Sequence, residues 1–355
     1  MGRVAGPELA AEVSKAGGLG ILAGLNSSPD ALRRDIARIR ALTDAPFGVN
    51  LWLLPELRPP VDPSTLQSSE VRAVNAALNR ARREVSVPES DAVPPRRPDW
   101  LNDAIEVVLE ERVPVWSVAL GLPSADLVAR CHERGVHVMC MVANVDDARA
   151  ADMAGVDIIV AQGAEAGGHR SVWRSEARAD VGTFSLVPEV VDAVSAPVVA
   201  AGGIADGRGL AAALALGASG VLLGTRFVAT KESMAPEFWK RAILESSSDK
   251  TTVTRAFSGL PARVIRNRFQ QEYEQSNAPV LPGLLQSSLE QDMWSAAAKQ
   301  GNRDFFPLYA GQSAGVIRDV PSAADVVSSI IDEAREITRQ LATYDWLLDD
   351  PAASR

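Results

Sequence analysis

Short apolar runs alternate with longer segments of helical pattern along the first 225 residues. The runs are continuously apolar, which is typical of strands in a parallel sheet covered by helices on both faces. The predicted strands span residues 19–22, 47–51, 113–118, 136–142, 157–160, 197–201 and 220–223. The predicted helices between them span residues 8–16, 30–42, 124–134, 145–154, 187–194 and 206–216. This alternation predicts an α/β protein built from repeated strand–helix units.

Right-handed crossovers leave two architectures for such a chain, a closed barrel or an open doubly wound sheet. We expect a TIM-type (β/α)8 barrel. A closed barrel needs an eighth strand, and the only place for it is before Pro7. The first strand is therefore expected to be missing, either because the native chain starts upstream of Met1 or because the strand is absent.

Two stretches break the alternation. Residues 55–100 are polar, carry prolines near both ends and show a helical pattern over residues 69–84, so we expect an insertion over the catalytic end of the barrel. Beyond residue 250 the pattern is helical with Pro and Gly breaks, and it ends in a long helix over residues 322–344. The predicted organisation is a barrel with its insertion over residues 1–250, followed by a helical segment over residues 251–355 that packs near the active site.

Composition and charge narrow the function classes. The apolar fraction of 46% and the charged fraction of 23% predict a globular protein with a real core. The net charge of −9 and the lack of a dense Lys/Arg run argue against a nucleic-acid partner. Every apolar run is too short to span a membrane, and Cys131 and Cys140 form no CxxC pair. We expect a cytoplasmic protein with free thiols and without a membrane partner.

Two glycine turns follow the last two predicted strands. Gly202-Gly203 comes after the first of these strands and Gly224-Thr225 after the second. In β/α barrels phosphate groups usually bind at the last two strand-to-helix loops, where glycines let the backbone amides approach closely. Gly202-Gly203 alone would be an ordinary tight turn. The second turn favours a phosphate site, to which the Thr225 hydroxyl can add a donor.

One of the three histidines lies among small residues directly after a strand. His169 closes the segment Gln-Gly-Ala-Glu-Ala-Gly-Gly-His, which starts at Gln162. A histidine of near-neutral pKa suits proton abstraction, and the small residues leave room for a planar ring system. A histidine hydrogen-bonded within its loop is the alternative. Asn50, at another strand end, can serve a ring edge or simply form a turn, whereas His132 and His137 are expected at the surface.

At these residues the chain resembles the nitronate monooxygenases, formerly called 2-nitropropane dioxygenases. The matching stretches are residues 16–20, 48–50, 162–170 and 198–227, with weaker similarity at 257–263 and 309–312. The resemblance implies FMN as cofactor, His169 as the catalytic residue and Gln312 as a substrate contact. The implied FMN contacts are Asn50, Gln162, Gly167, Gly202, Gly203, Leu222, Leu223, Gly224 and Thr225.

Three features depart from the family pattern. The first strand, which in relatives ends in a Pro-Met pair near the flavin, is missing, and this would leave the barrel open and the flavin partly exposed. Leu222 stands where relatives often carry glutamine. Ser171 stands where a glycine is usual, which would narrow the histidine loop.

The resemblance implies oxidation of a nitronate, with or without access to the neutral nitroalkane, by molecular oxygen to a carbonyl compound and nitrite. No metal is expected, and a homodimer is left open. The runner-up activity is that of an NAD(P)H-dependent FMN reductase of the enoyl-acyl-carrier-protein reductase or quinone reductase type, because these enzymes share the glycine turns and the histidine motif. The third alternative is a catalytically idle barrel retained as a binding protein.

Overall fold

The computed structural model describes residues 1–2, 4–25, 27–54, 58, 60–173 and 179–343. Seven parallel strands form one curled sheet and follow each other in chain order, apart from a short strand that belongs elsewhere. The sheet strands are β1 (Gly20–Ala23), β2 (Phe47–Trp52), β3 (Val115–Ala119), β4 (His137–Val142), β5 (Ile158–Gln162), β7 (Val198–Ala201) and β8 (Gly220–Leu222). All seven predicted strands are therefore confirmed, and the fold is TIM-like. Within the described ranges, no strand joins the outer edge of β1 to that of β8.

Helices cover the outer face of the sheet; the one at residues 101–110 was not predicted, and the other six correspond to predicted helices. They are α1 (Pro7–Lys15), α2 (Pro29–Leu42), α4 (Leu101–Glu110), α5 (Ala125–Glu133), α6 (Val145–Met153), α7 (Thr183–Ala193) and α8 (Gly207–Ala215). The largest cluster of buried apolar side chains lies between these helices and the sheet and includes Leu32, Ile36 and Trp116. Burial of this cluster stabilises the fold by about 25 cal/mol for each Å² of apolar area removed from water. It is the main stabilising contribution to the barrel.

Helix α7 begins four residues before its predicted start at residue 187. The reason is a capping carboxylate that is distant in sequence, since the backbone N–H of Thr183 donates to both oxygens of Glu165, at 3.0 and 2.8 Å. A carboxylate at a helix N-terminus satisfies a free N–H and opposes the helix dipole. The helix then accommodates Pro188 in its interior.

A second, antiparallel sheet was not predicted. It contains β6 (Gly168–His169), β9 (Thr251–Thr254) and β10 (Ala262–Ile265), with β10 in the middle. Ala262 pairs with His169 and Arg263 with Gly168. The segment after residue 250 is thus not wholly helical, and its central strand is paired directly with the residues around the predicted catalytic histidine.

The insertion and the C-terminal segment share a hydrophobic cluster of their own. The predicted helix at 69–84 is present as α3 (Ser68–Glu84), and it packs with α11 (Arg268–Gln275), α12 (Leu285–Leu289) and α13 (Gln291–Gln300). Val74, Leu78, Phe257, Phe269 and Trp294 lie in this cluster. Two segments that are about 200 residues apart in sequence therefore build one layer beside the barrel mouth.

The chain continues from the barrel through α9 (Thr225–Val228) and α10 (Glu237–Leu244) and ends in the long helix α14 (Ala323–Leu341). Ser322 and Asp325 form a capping box at the start of α14, and this helix packs against α8 and α1. The predicted helix is confirmed from its first turn to residue 341. Residues 342–343 form a turn, so the helix ends earlier than predicted, and the predicted end itself, residue 344, lies outside the described residues.

Candidate active site

His169 lies at the carboxyl end of the barrel strands, where loops of β/α barrels carry function. The loop that follows β5, residues 163–168, is called the site loop below. It runs into β6, and the pairing of His169 with Ala262 fixes the backbone at this point. The sequence prediction that the histidine follows the strand at 157–160 is consistent with this placement.

The His169 ring is held on three sides. Its Nε2 lies 2.8 Å from the Ser258 hydroxyl oxygen. The Trp52 ring packs edge-on at a centroid distance of 4.7 Å, and the Tyr309 ring lies at 5.4 Å with a tilt of 37°. These partners come from the end of β2, from the turn before β10 and from the segment before the last helix. No role was predicted for any of the three from the sequence.

The surroundings keep the imidazole neutral. Burial, together with the positive charge of Arg170, lowers the pKa of His169 from 6.5 to about 3. Desolvation disfavours the charged form of a base, which is the larger of the two effects here. At neutral pH the ring is therefore a neutral donor–acceptor pair, and which nitrogen carries the proton decides what it can do.

Arg170 organises the site loop from inside. Its guanidinium donates to the carbonyl oxygens of Gly163 and Ala164 at 3.1 Å each, and also to those of Ala166 and Gly168. The side chain is 4% exposed, and burial lowers its pKa to about 10. A buried cation that satisfies several carbonyls closes the loop around itself. No role was predicted for Arg170 from the sequence.

Gly167 is required by a close approach of two backbones. A Cβ atom at this position would lie 2.4 Å from the Gly311 nitrogen and 2.5 Å from the Ala310 carbonyl carbon. The site loop therefore packs against residues 310–311 with no room for a side chain. This contact explains the glycine independently of the FMN contact that the resemblance implies.

The two predicted glycine turns lie side by side. Ala201 pairs with Leu222 in adjacent parallel strands, so the turns after β7 and β8 leave the sheet at the same edge. Gly202 and Gly203 have φ of +107° and +73°, a conformation that disfavours any other residue. Leu222, Leu223 and Gly224 are partly exposed at this edge.

The residues at these turns fit a phosphate. Two glycines with positive φ lie next to a second turn that offers Gly224 and the Thr225 hydroxyl, which are the groups that bind phosphate in barrels of this kind. Thr225 Oγ1 accepts the Gly311 N–H at 2.9 Å and keeps its own proton for donation. This hydrogen bond links the glycine turn after β8 to residues 310–311.

Asn50 and Gln162 differ in which of their hydrogen-bonding groups remain available to a ligand. The Asn50 amide nitrogen donates to the backbone and hydroxyl oxygens of Ser117 at 3.1 and 3.0 Å, while its oxygen accepts no bond from the described residues. The buried Gln162 donates to the His169 carbonyl at 3.0 Å and accepts the Ser171 N–H at 2.7 Å. Gln162 thus holds the chain on both sides of Arg170, a structural role that the sequence did not predict.

Gln312 lies beside the site loop. It begins a short 3-10 helix, Gln312–Val316, and its backbone N–H donates to the Glu165 carbonyl oxygen at 2.9 Å. Its side chain is partly exposed. The structure thus places Gln312 next to the other predicted site residues, and its contact with substrate stays a prediction.

An apolar groove opens on the far side of Trp52. Counted together with the open solvent at its mouth, the groove has an empty volume of about 750 Å³. Its walls come from the ends of β1 and β2, from the insertion and from residues 283–285. The apolar side chains that line it include Leu25, Trp52, Leu53, Leu54, Val61, Trp100 and Leu285, and the charged residues Arg58, Arg97 and Asp99 also line it. Trp52 lines the groove and also packs against the His169 ring, so it lies between the groove and the histidine.

The other groups considered in the sequence analysis lie away from this site. His132 and His137 are exposed and share the carboxylate of Asp157 at 3.0 and 3.3 Å. Cys131 and Cys140 are buried and unpaired, and burial raises their thiol pKa to about 11 and about 12. The described part of the chain contains no cluster of three or more ligating side chains that could hold a metal ion. Among the described helices, none combines the length and apolar character needed to cross a membrane.

Comparison with known proteins agrees with this geometry. The family model described as nitronate monooxygenase matches residues 1–333. A probable nitronate monooxygenase from Staphylococcus saprophyticus is 36% identical over 93% of this chain and 92% of its own length. One from Staphylococcus aureus is 37% identical over 93% of this chain and 91% of its own.

Two solved structures are similar over nearly the whole chain. A nitroalkane oxidase from Streptomyces ansochromogenes has a TM-score of 0.86 and 36% identity, covering 96% of this chain and 95% of its own. FabK from Thermotoga maritima has a TM-score of 0.76 and 34% identity, covering 97% of this chain and 93% of its own. With the family model spanning almost every described residue, the chain belongs to the nitronate monooxygenase family and is an oxidoreductase.

Proposed function

We propose that this protein uses FMN to oxidise alkyl nitronates, and nitroalkanes, with molecular oxygen, giving a carbonyl compound and nitrite. The observation that carries the proposal is His169, a neutral imidazole at the barrel mouth, clasped by Trp52, Tyr309 and Ser258. A proton-transfer group in an apolar, partly closed site is what α-proton chemistry next to a nitro group needs. The family membership supports the oxidation of nitro compounds.

We place the FMN phosphate at the two glycine turns and the flavin ring across the barrel mouth. Gly202, Gly203, Gly224 and Thr225 would hold the phosphate, and Asn50 offers a free carbonyl oxygen to a ring edge. When bound, FMN supplies the electron transfer between substrate and oxygen, which no side chain of this site can perform. Gln162, Gly167, Leu222 and Leu223 complete the proposed set of cofactor contacts.

The chain's own residues handle the substrate. We propose that the groove beyond Trp52 takes its hydrocarbon part, because many of its lining side chains are large and apolar and one of them, Trp52, packs against the histidine. His169 would act on the α-carbon or on the nitro oxygens, and Gln312 would face the substrate from the other side. The barrel with its insertion, residues 1–250, and the segment 251–355 would act as one catalytic unit in the cytoplasm. A homodimer is the assembly that we leave open to measurement.

The test is oxygen uptake by FMN-loaded protein on addition of ethylnitronate, without NADH. Rapid uptake that requires both FMN and nitronate is expected, together with release of nitrite. His169→Asn should keep FMN but lose most turnover of neutral nitroethane. Absence of uptake in protein that visibly holds FMN would contradict the proposal, and failure to take up FMN at all would favour the idle-barrel alternative.

The likeness to FabK, at 34% identity over nearly the whole chain, keeps the NAD(P)H-dependent reductase as the second candidate. The groove between the insertion and the barrel would then hold a pyridine nucleotide. Addition of NADH under nitrogen distinguishes the two activities. Rapid bleaching of the flavin absorbance without any nitronate would favour the reductase, and an unchanged spectrum favours the monooxygenase.

A further inference from the structure

The hydroxyl of Ser258 is the only side-chain group among the described residues that hydrogen-bonds the His169 ring, and its remaining bonds restrict the imidazole tautomer. Ser258 is 3% exposed, so its hydroxyl is shielded from solvent. Oγ lies 2.8 Å from His169 Nε2, 3.2 Å from the Leu260 carbonyl oxygen and 3.4 Å from the Leu260 nitrogen. A hydroxyl has one proton and two lone pairs, so at most one of these contacts is a donation.

Only one assignment satisfies all three contacts at once. The Leu260 carbonyl can only accept, so the Ser258 proton must point to it, and the Leu260 N–H must donate to a lone pair of Oγ. The second lone pair is then left for Nε2, which must itself carry a proton. The opposite arrangement, with Ser258 donating to Nε2, gives up the bond to the Leu260 carbonyl and leaves a lone pair idle. In a buried site the arrangement with more satisfied groups is favoured.

The serine is itself held in place. Its carbonyl oxygen accepts the Leu284 N–H at 2.6 Å, and its N–H donates to the Arg255 carbonyl. Gly259, directly after it, has φ of +80° and packs so closely that a Cβ would lie 2.5 Å from the Leu281 carbonyl oxygen. The turn that carries the hydroxyl therefore cannot move without disturbing the cluster shared by the insertion and the C-terminal segment.

We propose that Ser258 is a positioning residue that holds His169 as the Nε2–H tautomer, so that Nδ1 is the atom that accepts the α-proton of a neutral nitroalkane. No described residue hydrogen-bonds Nδ1. This inference rests on the proposed function for its substrate, but not for the tautomer. It also decides between two roles of the histidine, because an Nδ1 lone pair can accept a proton and cannot donate a hydrogen bond to the nitro oxygens of an anion.

The step that follows balances without any oxidant. The α-carbon–hydrogen bond breaks, its proton is transferred to Nδ1, and its electron pair moves into the nitro group to give the nitronate anion. The resulting imidazolium keeps its Nε2–H bond to Ser258, which becomes a charge-assisted hydrogen bond. Ser258 therefore supports the protonated product of this step more strongly than the neutral starting ring.

Histidine-selective ¹⁵N NMR of the FMN-loaded protein tests the tautomer directly. The chain has three histidines, and His169→Asn identifies the relevant signal by its loss. The expected result is an acceptor-type shift for Nδ1 and a protonated-type shift for Nε2 of His169. The reverse pattern would overturn the assignment, whether or not the protein oxidises nitro compounds.

Kinetics test the positioning role. Ser258→Ala should lower kcat with neutral nitroethane about tenfold, the loss expected for one charge-assisted bond, and should leave turnover of preformed ethylnitronate within about twofold. Ser258→Thr, which keeps the hydroxyl, should restore the ratio of the two activities. Ser287→Ala is the matched control, since Ser287 is also buried and donates to the Leu284 carbonyl in the same layer without touching His169.

An equal loss on nitroethane and ethylnitronate in Ser258→Ala would show a general structural effect and overturn the positioning role. Absence of turnover on both substrates in the wild-type protein would remove the proposed function instead, and the NMR result would still stand or fall separately. If Ser258→Ala does not fold, the wild-type spectrum and the Ser258→Thr ratio decide.

Discussion

Acidification from pH 7 to pH 5 should destabilise the folded protein through a single side chain. The pKa of His169 is about 3 in the folded protein and 6.5 in its ordinary range, with burial as the main cause of the shift. The unfolded chain therefore takes up a proton at this residue near pH 6.5, whereas the folded chain does not. Stability from the neutral imidazole is fully present above pH 6.5 and is lost as the pH falls from 6.5 towards 3.

The magnitude follows from the two pKa values. Each pH unit between them changes the free energy of unfolding by about 1.4 kcal/mol. At pH 5 the protein lies about 1.5 units below the unfolded pKa, so His169 alone should cost about 2 kcal/mol. This is a large fraction of the 5–15 kcal/mol that is typical of a folded domain.

The assay is urea unfolding of wild type and His169→Asn at pH 7, 6 and 5, in the absence of added ligands. The difference between the two proteins isolates His169, because every other titrating group is common to both. His169→Asn should become more stable relative to wild type by about 2 kcal/mol on going from pH 7 to pH 5. An unchanged difference across this range would refute the claim that burial holds the imidazole neutral.

Two further variants test the loop and the groove. Gly167→Ala should lower turnover about a hundredfold, because its Cβ would lie 2.4 Å from the Gly311 nitrogen and must displace the site loop by about 1 Å. Gly220→Ala is the control, because its Cβ meets nothing within 4 Å. This control should keep wild-type turnover and so show that a barrel glycine can be replaced. In wild type, kcat/KM should rise about fourfold per methylene along the series from ethyl- to hexylnitronate. Val61→Phe should abolish that rise by filling the groove. Val93→Phe, at a position 55% exposed in the same insertion, should not. If kcat/KM of the wild type does not change along the series, the hydrocarbon part binds elsewhere.

The strands of the barrel could be predicted because each depends on local pattern alone. A continuous apolar run such as that of β4 has no alternative to a buried strand once helices flank it. The start of α7 could not be predicted in the same way, since it depends on Glu165, a carboxylate 18 residues upstream. The strands β9 and β10 were missed because a four-residue strand paired with a two-residue strand has no periodicity to read.

In the candidate site, too, the features that depend on local sequence could be predicted and those that depend on distant residues could not. The glycine turns and His169 carry signals in the sequence itself, a residue type at a strand end. The partners of His169 do not, because Ser258 is 89 residues away and looks like an ordinary turn serine. No role was predicted for Arg170, because only the closure of the site loop around its guanidinium shows that it is buried. Long-range packing of this kind leaves no trace in a single sequence.

The contacts that hold the His169 ring can form only late in the synthesis of the chain. His169 is translated about 90 residues before Ser258 and about 140 before Tyr309, and domains tend to fold from the N-terminus as they emerge. A nascent barrel can therefore form while its histidine still faces open water, unrestrained and ordinary in its acid–base behaviour. Nearly the entire polypeptide must therefore be synthesised before the pKa of His169 is shifted. Chains that end earlier should lack the activity that depends on this side chain.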